Sequence, residues 1–358
     1  MFTSIPLNKY DFCLSKLLHP KTNSYLIDSH GRIIKNARIS ITDRCNLRCK
    51  YCIPEENPNW VKKEELLSFE EIIRIVEILN KHGVNKFRLT GGEPTIRTGF
   101  LDLCKNIKQI DPKIELSITT NGIKLFEYAE TMKDVGIDRI NISLDTLDKD
   151  TFYKITSRNL FDDVIKGIHK AIEVEFNSIK INAVAMNGVN TDLNTLNEFI
   201  NLSASTGLEI RYIEFMPFHG NNWMDEKSNG YISSNDLVNK LQAHYTLEKL
   251  HEQNPSQTSR NYVIKENSAK IGFISSVSQS FCDKCDRIRI TADGFLRPCL
   301  HEHKEYDLKT KLRNGATDDD LKNLIQSGLN KKWKEHPDFL SMTYLPLIED
   351  REMIRIGG

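Results

Sequence analysis

Three cysteines, Cys45, Cys49 and Cys52, fall within eight positions in the stretch TDRCNLRCKYC, and a second set, Cys282, Cys285 and Cys299, follows far downstream as Cys-x2-Cys-x13-Cys. In a chain read as cytosolic, such groups bind metal or react rather than form disulfides. Structural zinc takes four closed tetrahedral ligands, and the first set has no nearby fourth, since His30 and His82 are distant in sequence. A cubane iron–sulfur cluster accepts three thiolates, because each iron is ligated separately and one can stay open to a small molecule. The second set is ambiguous by spacing: His301 and His303 follow in CLHEH, so a Cys3His zinc site stays open. Arg287 and Arg289, two apart in DRIRI, fall on one strand face and aim two cations at whatever that metal presents. Cys13 and Cys104 stand alone and read as small buried hydrophobes.

These groups need elements to position them. From residue 34 to about 216, strand patterns (ARISIT, KFRLT, ELSITT, RINISLD, IKINAVAM, LEIRYIEFM) alternate with helical ones. In SFEEIIRIVEILNKHG, Ser68 and Glu71 form a capping box, Ile72, Ile75, Val76 and Leu79 make one apolar stripe, and Gly83 ends the helix. Gly136 and Gly207 close later helices in the same way. Six βα units imply a parallel sheet, doubly wound or a partial barrel. Apolar and polar residues alternate along the first five strands, placing Arg38, Arg88 and Lys180 on polar faces. Those faces line a polar interior if the sheet curls, or meet solvent if it stays open. After about residue 217 the pattern breaks at FHGNNWMDEKSNG; a helix near 234–243 and antiparallel strands with Asn, Asp and Gly turns are expected beyond it.

The 358 residues carry 49 basic and 49 acidic side chains, so no basic excess advertises nucleic acid. There is no run of 18 apolar residues, no secretory signal and no Arg-rich transit pattern, and a soluble cytoplasmic protein is expected. Residues 1–30 read as a poorly ordered or surface-packed extension.

Cys-x3-Cys-x2-Cys directly after a first strand, with Tyr51 before the last cysteine and Gly91, Gly92, Glu93 and Pro94 ending the second strand, resembles the radical S-adenosylmethionine (SAM) enzymes. Both triplets, the TDRCN lead-in, RIR after the second pair and the terminal Gly-Gly resemble the GTP 3′,8-cyclase branch from about residue 31 onward. The resemblance implies an α/β fold: a partial (βα)6 TIM-like barrel over 31–216 and a C-terminal α+β domain over 217–358 carrying a second cluster. It implies two [4Fe–4S] clusters on the two cysteine sets, the first chelating SAM and the second binding the guanine of GTP. SAM would contact Tyr51, Gly92, Glu93, Ser143 and Met216. GTP would contact Arg38, Arg88, Thr119, Lys180, Arg211, Arg287 and Arg289, a set suited to a triphosphate of roughly four negative charges. Arg38, Arg287 and Arg289 are the implied catalytic residues, with Gly357 and Gly358 reaching in as a flexible tail. The implied reaction starts with hydrogen abstraction from ribose C3′ and ends with attack on guanine C8.

Implied partners are a flavodoxin- or ferredoxin-type donor and a downstream cyclic pyranopterin monophosphate synthase, with no nucleic acid or membrane, the chain being monomer or homodimer. Two departures stand out: His301 and His303 could ligate the open iron of the second cluster, and Thr95 replaces the family's usual Leu. Two alternatives remain. A radical SAM peptide-modifying enzyme generally carries more auxiliary cysteines than the three found here after Cys104. A zinc-binding regulator with two metal knots is the other.

Overall fold

The signals that start and stop helices act where the sequence places them. The computed structural model describes residues 25–53, 58–216, 230–251, 254–339, 351 and 353–357. Six parallel strands, β1 (Asn36–Ser40), β2 (Lys86–Thr90), β3 (Glu115–Thr120), β4 (Arg139–Ser143), β5 (Ser178–Ala185) and β6 (Glu209–Glu214), alternate with helices α1 (Phe69–Lys81), α2 (Phe100–Ile110), α3 (Leu125–Asp134), α4 (Lys149–Thr156), α5 (Phe161–Glu173) and α6 (Leu193–Thr206). In α1 the Ser68 hydroxyl accepts from the Glu71 N–H and the Glu71 carboxylate accepts from the Ser68 N–H, which satisfies two otherwise orphaned donors. The stripe Ile72, Ile75, Val76 and Leu79 is buried with Ile78, worth about 1.5–3 kcal/mol per large side chain. The chain leaves α1 at Gly83, whose φ is +93° and where a Cβ would meet the Tyr25 ring at 2.4 Å, so both turn and packing demand glycine.

The rest of the chain supplies α7 (Ser234–Gln242), β7 (Leu247–Lys249), β8 (Ser259–Ile264), β9 (Lys270–Ile274), β10 (Arg287–Ile290), β11 (Phe295–Arg297), β12 (Tyr306–Asp307), α8 (Leu308–Arg313), α9 (Asp318–Leu329) and α10 (Met353–Ile356). Among the described residues the twelve strands form one sheet in the order β12-β11-β10-β1-β2-β3-β4-β5-β6-β9-β8-β7. β10 pairs parallel with β1 and β9 pairs parallel with β6, and an antiparallel extension follows each. The antiparallel strands expected after residue 217 are present. Beyond that expectation, β9 and β10 also extend the parallel sheet at its two edges. One apolar core cluster runs from Leu26 to Leu329, across the break in sequence pattern. Cys104 is fully buried within it, while Cys13 lies outside the described residues. Among the described residues no helix is long and apolar enough to cross a membrane.

Candidate active site

The loop after β1 carries the first cysteine set and is held from several sides. Arg97, stacked 4.3 Å over the Phe69 ring, donates to the carbonyls of Ile41 and Leu67. The paired glycines press against this same loop: a Cβ at Gly91 would stand 2.3 Å from the Thr42 carbonyl oxygen, and one at Gly92 would stand 2.2 Å from that of Arg44. Backbone N–H groups of Arg48 and Lys50 donate to Thr156 and Ile155 at the end of α4, at 2.9 and 3.0 Å. Asn121 donates to Asn46 Oδ1 at 2.7 Å and approaches Cys45 Sγ at 3.9 Å. Burial and then the nearby Glu93 push the Cys45 thiol up to about 11. Burial, Asp145 and the other two thiols raise Cys49 as well. Three bare thiolates here are costly, and a cationic metal group relieves that cost.

The second set sits before and after the β10–β11 hairpin. The Asp286 carbonyl accepts from Lys35 and Asn36 at 3.0 Å each, docking this segment beside the start of β1. Burial opposes ionisation of Cys285, but Arg287 and Lys332 bring its thiol down to about 7. Cys299 is raised by burial, with Lys332 opposing. Since Asn36 pairs with Arg287, this set stands level with the N-terminal end of β1, whereas the first set follows its C-terminal end. Across a five-residue strand the two are roughly 15–20 Å apart. Cubane thiolates bind separate irons, so three suffice when the fourth iron is left to a small molecule. The donor chemistry of both sets fits such a cluster.

Both sets open onto one cavity of about 960 Å³. The polar strand faces line it, which decides between a lined interior and a solvated sheet. Arg38, Arg88, Thr119, Lys180, Arg211, Arg287 and Arg289 are on its wall, as are Tyr51, Gly92, Glu93, Ser143 and Met216. Arg38 pairs in register with Arg88 on one side and Arg289 on the other. Burial, then repulsion from Arg38, Arg211 and Arg287, pulls Arg88 down to about 9. Burial and Arg287 pull Arg38 down to about 10. Such crowding of positive charge is relieved by a polyanion. Two of the cations already hold an internal anion: Glu209 accepts from Lys180 at 2.8 Å and from Arg211 at 2.5 Å. Arg88 reaches Ser117 Oγ at 3.3 Å and, with the Asn141 amide turned to offer its oxygen, Asn141 at 2.7 Å.

At the first set, Tyr51 donates to Asp145 at 2.8 Å, and Asp145 also accepts from the Val184 N–H at 2.8 Å. Glu93 is buried and heavily engaged: it accepts from Thr95 N and Oγ1, from Thr120 Oγ1 and from the Asn121 N–H, at 3.1, 2.6, 2.8 and 2.6 Å. The hydroxyl of Thr95, the departure from the usual Leu, thus anchors the motif's own carboxylate. The Gly357 carbonyl accepts from Arg289, bringing the tail against Ser40 and Thr90, while Gly358 lies outside the described residues. His303 is exposed near Trp333, whereas His301 lines the cavity, 4.5 Å from the Phe339 ring. Asn141 and Asn182, on the polar faces that strand alternation picks out, also line it, as do Lys86 and Asp145, which the sequence reading left out. Lys86 alternates with Arg88, so the same period of two would have found it. Arg32 and Lys332 carry no such sequence signal.

Two family models match the chain: the radical SAM superfamily over residues 39–200 and Molybdenum Cofactor Synthesis C over residues 208–337. Similar proteins include the mitochondrial GTP 3′,8-cyclase of Arabidopsis thaliana, 38% identical over 93% of this chain and 83% of that protein. The GTP 3′,8-cyclase of Petrotoga mobilis is 37% identical over 93% of this chain and 100% of its own. Molybdenum cofactor biosynthesis protein 1 of Bos taurus is 39% identical over 93% of this chain, which spans only 52% of that relative's length. Among solved structures, Streptococcus suis SuiB bound to S-adenosylmethionine has a TM-score of 0.59 at 16% identity, covering 92% of this chain and 78% of SuiB. That likeness is one of fold.

Proposed function

The chain belongs to the GTP 3′,8-cyclase family of radical SAM enzymes, and on that premise we propose that it converts GTP to 3′,8-cyclo-7,8-dihydroguanosine triphosphate, the first step of molybdenum cofactor biosynthesis. The observation that carries this reading is the placing of two three-thiol sets at opposite ends of one cavity with a cationic wall between them. Cys45, Cys49 and Cys52 would hold one [4Fe–4S] cluster, and Cys282, Cys285 and Cys299 the other. When bound, the clusters and SAM supply the 5′-deoxyadenosyl radical that takes the ribose C3′ hydrogen.

The residues of this chain do the positioning. Arg38, Arg88, Lys180 and Arg211 bind the triphosphate, and Thr119 borders it. Arg287 and Arg289 orient the nucleotide toward the second set, and Arg289 holds the Gly357 carbonyl at the same place. Tyr51, fixed by Asp145, Gly92, Glu93, Ser143 and Met216 bound the SAM end. Filled by the nucleotide and SAM, the shared cavity would leave less room for water and side reactions and would hold ribose near the adenosyl carbon, where placement matters more than acid–base catalysis. The division at residues 30 and 216, a flavodoxin- or ferredoxin-type donor, a downstream cyclic pyranopterin monophosphate synthase and a cytoplasmic setting belong to the same proposal.

The deciding experiment is anaerobic incubation of reconstituted protein with GTP, SAM and dithionite, followed by mass analysis. The cyclised nucleotide is expected, with deoxyadenosine forming rapidly only when GTP is present. Deoxyadenosine formation that ignores GTP and responds to a peptide refutes the cyclase reading. Iron analysis should give about eight irons per chain; stoichiometric zinc in their place refutes the whole scheme.

A further inference from the structure

Beside the second cysteine set, at the cavity wall, lies a buried polar knot that the chemistry above does not use. Lys332 is only 3% exposed. Its ammonium donates to the Arg287 carbonyl at 2.7 Å and to the Pro298 carbonyl. Arg287 opens β10 two residues after Cys285, and Pro298 directly precedes Cys299. One side chain therefore ties together the two segments that carry the set. The Lys332 backbone is itself fixed, its N–H donating to Leu329 at 3.0 Å and its carbonyl meeting His30 Nε2 at 3.0 Å. The next two carbonyls, Trp333 and Lys334, accept from Arg32 at 2.6 and 2.8 Å, and Arg32 also donates to the Cys282 carbonyl at 2.7 Å. Asp28 holds Arg32 at 2.5 Å.

Packing alone does not call for a charge here. An ammonium removed from water costs several kcal/mol unless an anion compensates, and two carbonyls lack the full charge to do so. Glu302, on which the Lys332 and Arg297 charges also act, is pushed up to about 7 by burial. The Lys332 ammonium, seated on the Arg287 and Pro298 carbonyls, lies between the segments that carry Cys285 and Cys299, and its charge acts on both.

We propose that Lys332 is the fixed counter-charge and clamp of the second cysteine set, holding the Cys285 and Cys299 segments in place and offsetting the negative charge of the cluster bound there. This rests on the reading that a cluster occupies that set. A nearby positive charge favours the reduced, more negative state, so its loss moves the reduction potential downward. Losing the carbonyl clamp loosens the ligands and speeds iron loss.

The test uses full-length protein reconstituted as wild type, Lys332→Gln, Lys332→Met and Lys332→Arg, without GTP. EPR-monitored reductive titration reads the midpoints, with a Cys45→Ala chain identifying the second cluster's signal, and a chelator challenge reads iron release. Lys332→Gln, which keeps donors but no charge, is expected to move the second midpoint negative and leave the first in place. Lys332→Met is expected also to release the second cluster's iron about tenfold faster, and Lys332→Arg to restore both properties. Wild-type midpoints and release rates in Lys332→Gln and Lys332→Met overturn the proposal. Should Lys332→Met fail to fold, the midpoints of the Gln and Arg variants decide alone. Wild-type protein that takes up only about four irons overturns the underlying reading instead.

Discussion

Arg289 is buried beside Arg38 and Arg287, held well below its ordinary pKa by burial and then by those cations, and it carries the Gly357 carbonyl. Arg289→Ala and Arg287→Ala are therefore expected to lower kcat/KM for GTP about 10–100-fold, the loss of one or two charged hydrogen bonds. The first cluster should stay intact and SAM binding unchanged, which EPR of that cluster and calorimetry with SAM check alongside the kinetics. Glu209 calls for the opposite sign. Its carboxylate occupies Lys180 and Arg211, so Glu209→Gln frees both cations and should tighten GTP binding about fivefold, measured by calorimetry in the absence of SAM. Single residues were legible in sequence where strand alternation exposed them, as for Arg38, Arg88 and Lys180. The buried partners were not: Arg32 meets Trp333 and Lys334 across 301 and 302 positions, and no local pattern encodes such a contact.

Helix α1 shows how a local signal acquires a distant partner. The Glu71 carboxylate that completes the capping box also accepts from Arg313 Nε at 2.7 Å. Burial alone would raise its pKa, but Arg313 and the Ser68 N–H together leave it below the ordinary value of 4.5. A depressed folded-state pKa stabilises above 4.5, and that contribution is lost as pH falls through the lower folded value. Because Arg313 is 38% exposed, solvent screening limits the charge contribution to about 0.5–1 kcal/mol. Glu71→Gln keeps the reciprocal cap, so it should cost about that much at pH 7 and progressively less as pH falls below 4.5, as urea unfolding over that range would show. The box was readable from Ser68 and Glu71, whereas Arg313 was not. Helix α4 also went unanticipated, because its eight residues bury only Phe152, Ile155 and Thr156, too few to show a period. Yet its last carbonyls dock the first cysteine loop.

Over the whole molecule, the change of pattern at residue 217 marks a change in strand type within a sheet that continues through it. The barrel strands were legible because each lies in a local βα repeat. The pairing of β10 with β1 and of β9 with β6 was not, since it joins segments with no neighbouring signal. Residues 31–216 expressed alone would leave β1 and β6 as open edges. That fragment is expected to aggregate or unfold, and the full chain to melt in one cooperative transition by circular dichroism; a soluble fragment with native-like near-UV signal would contradict this. The same topology bears on biosynthesis. The partner of β1 lies some 250 residues later, so at ordinary translation speeds the emerging chain waits on the order of tens of seconds with a sticky, unsealed margin. That margin is most open to mispairing during the interval before β10 emerges.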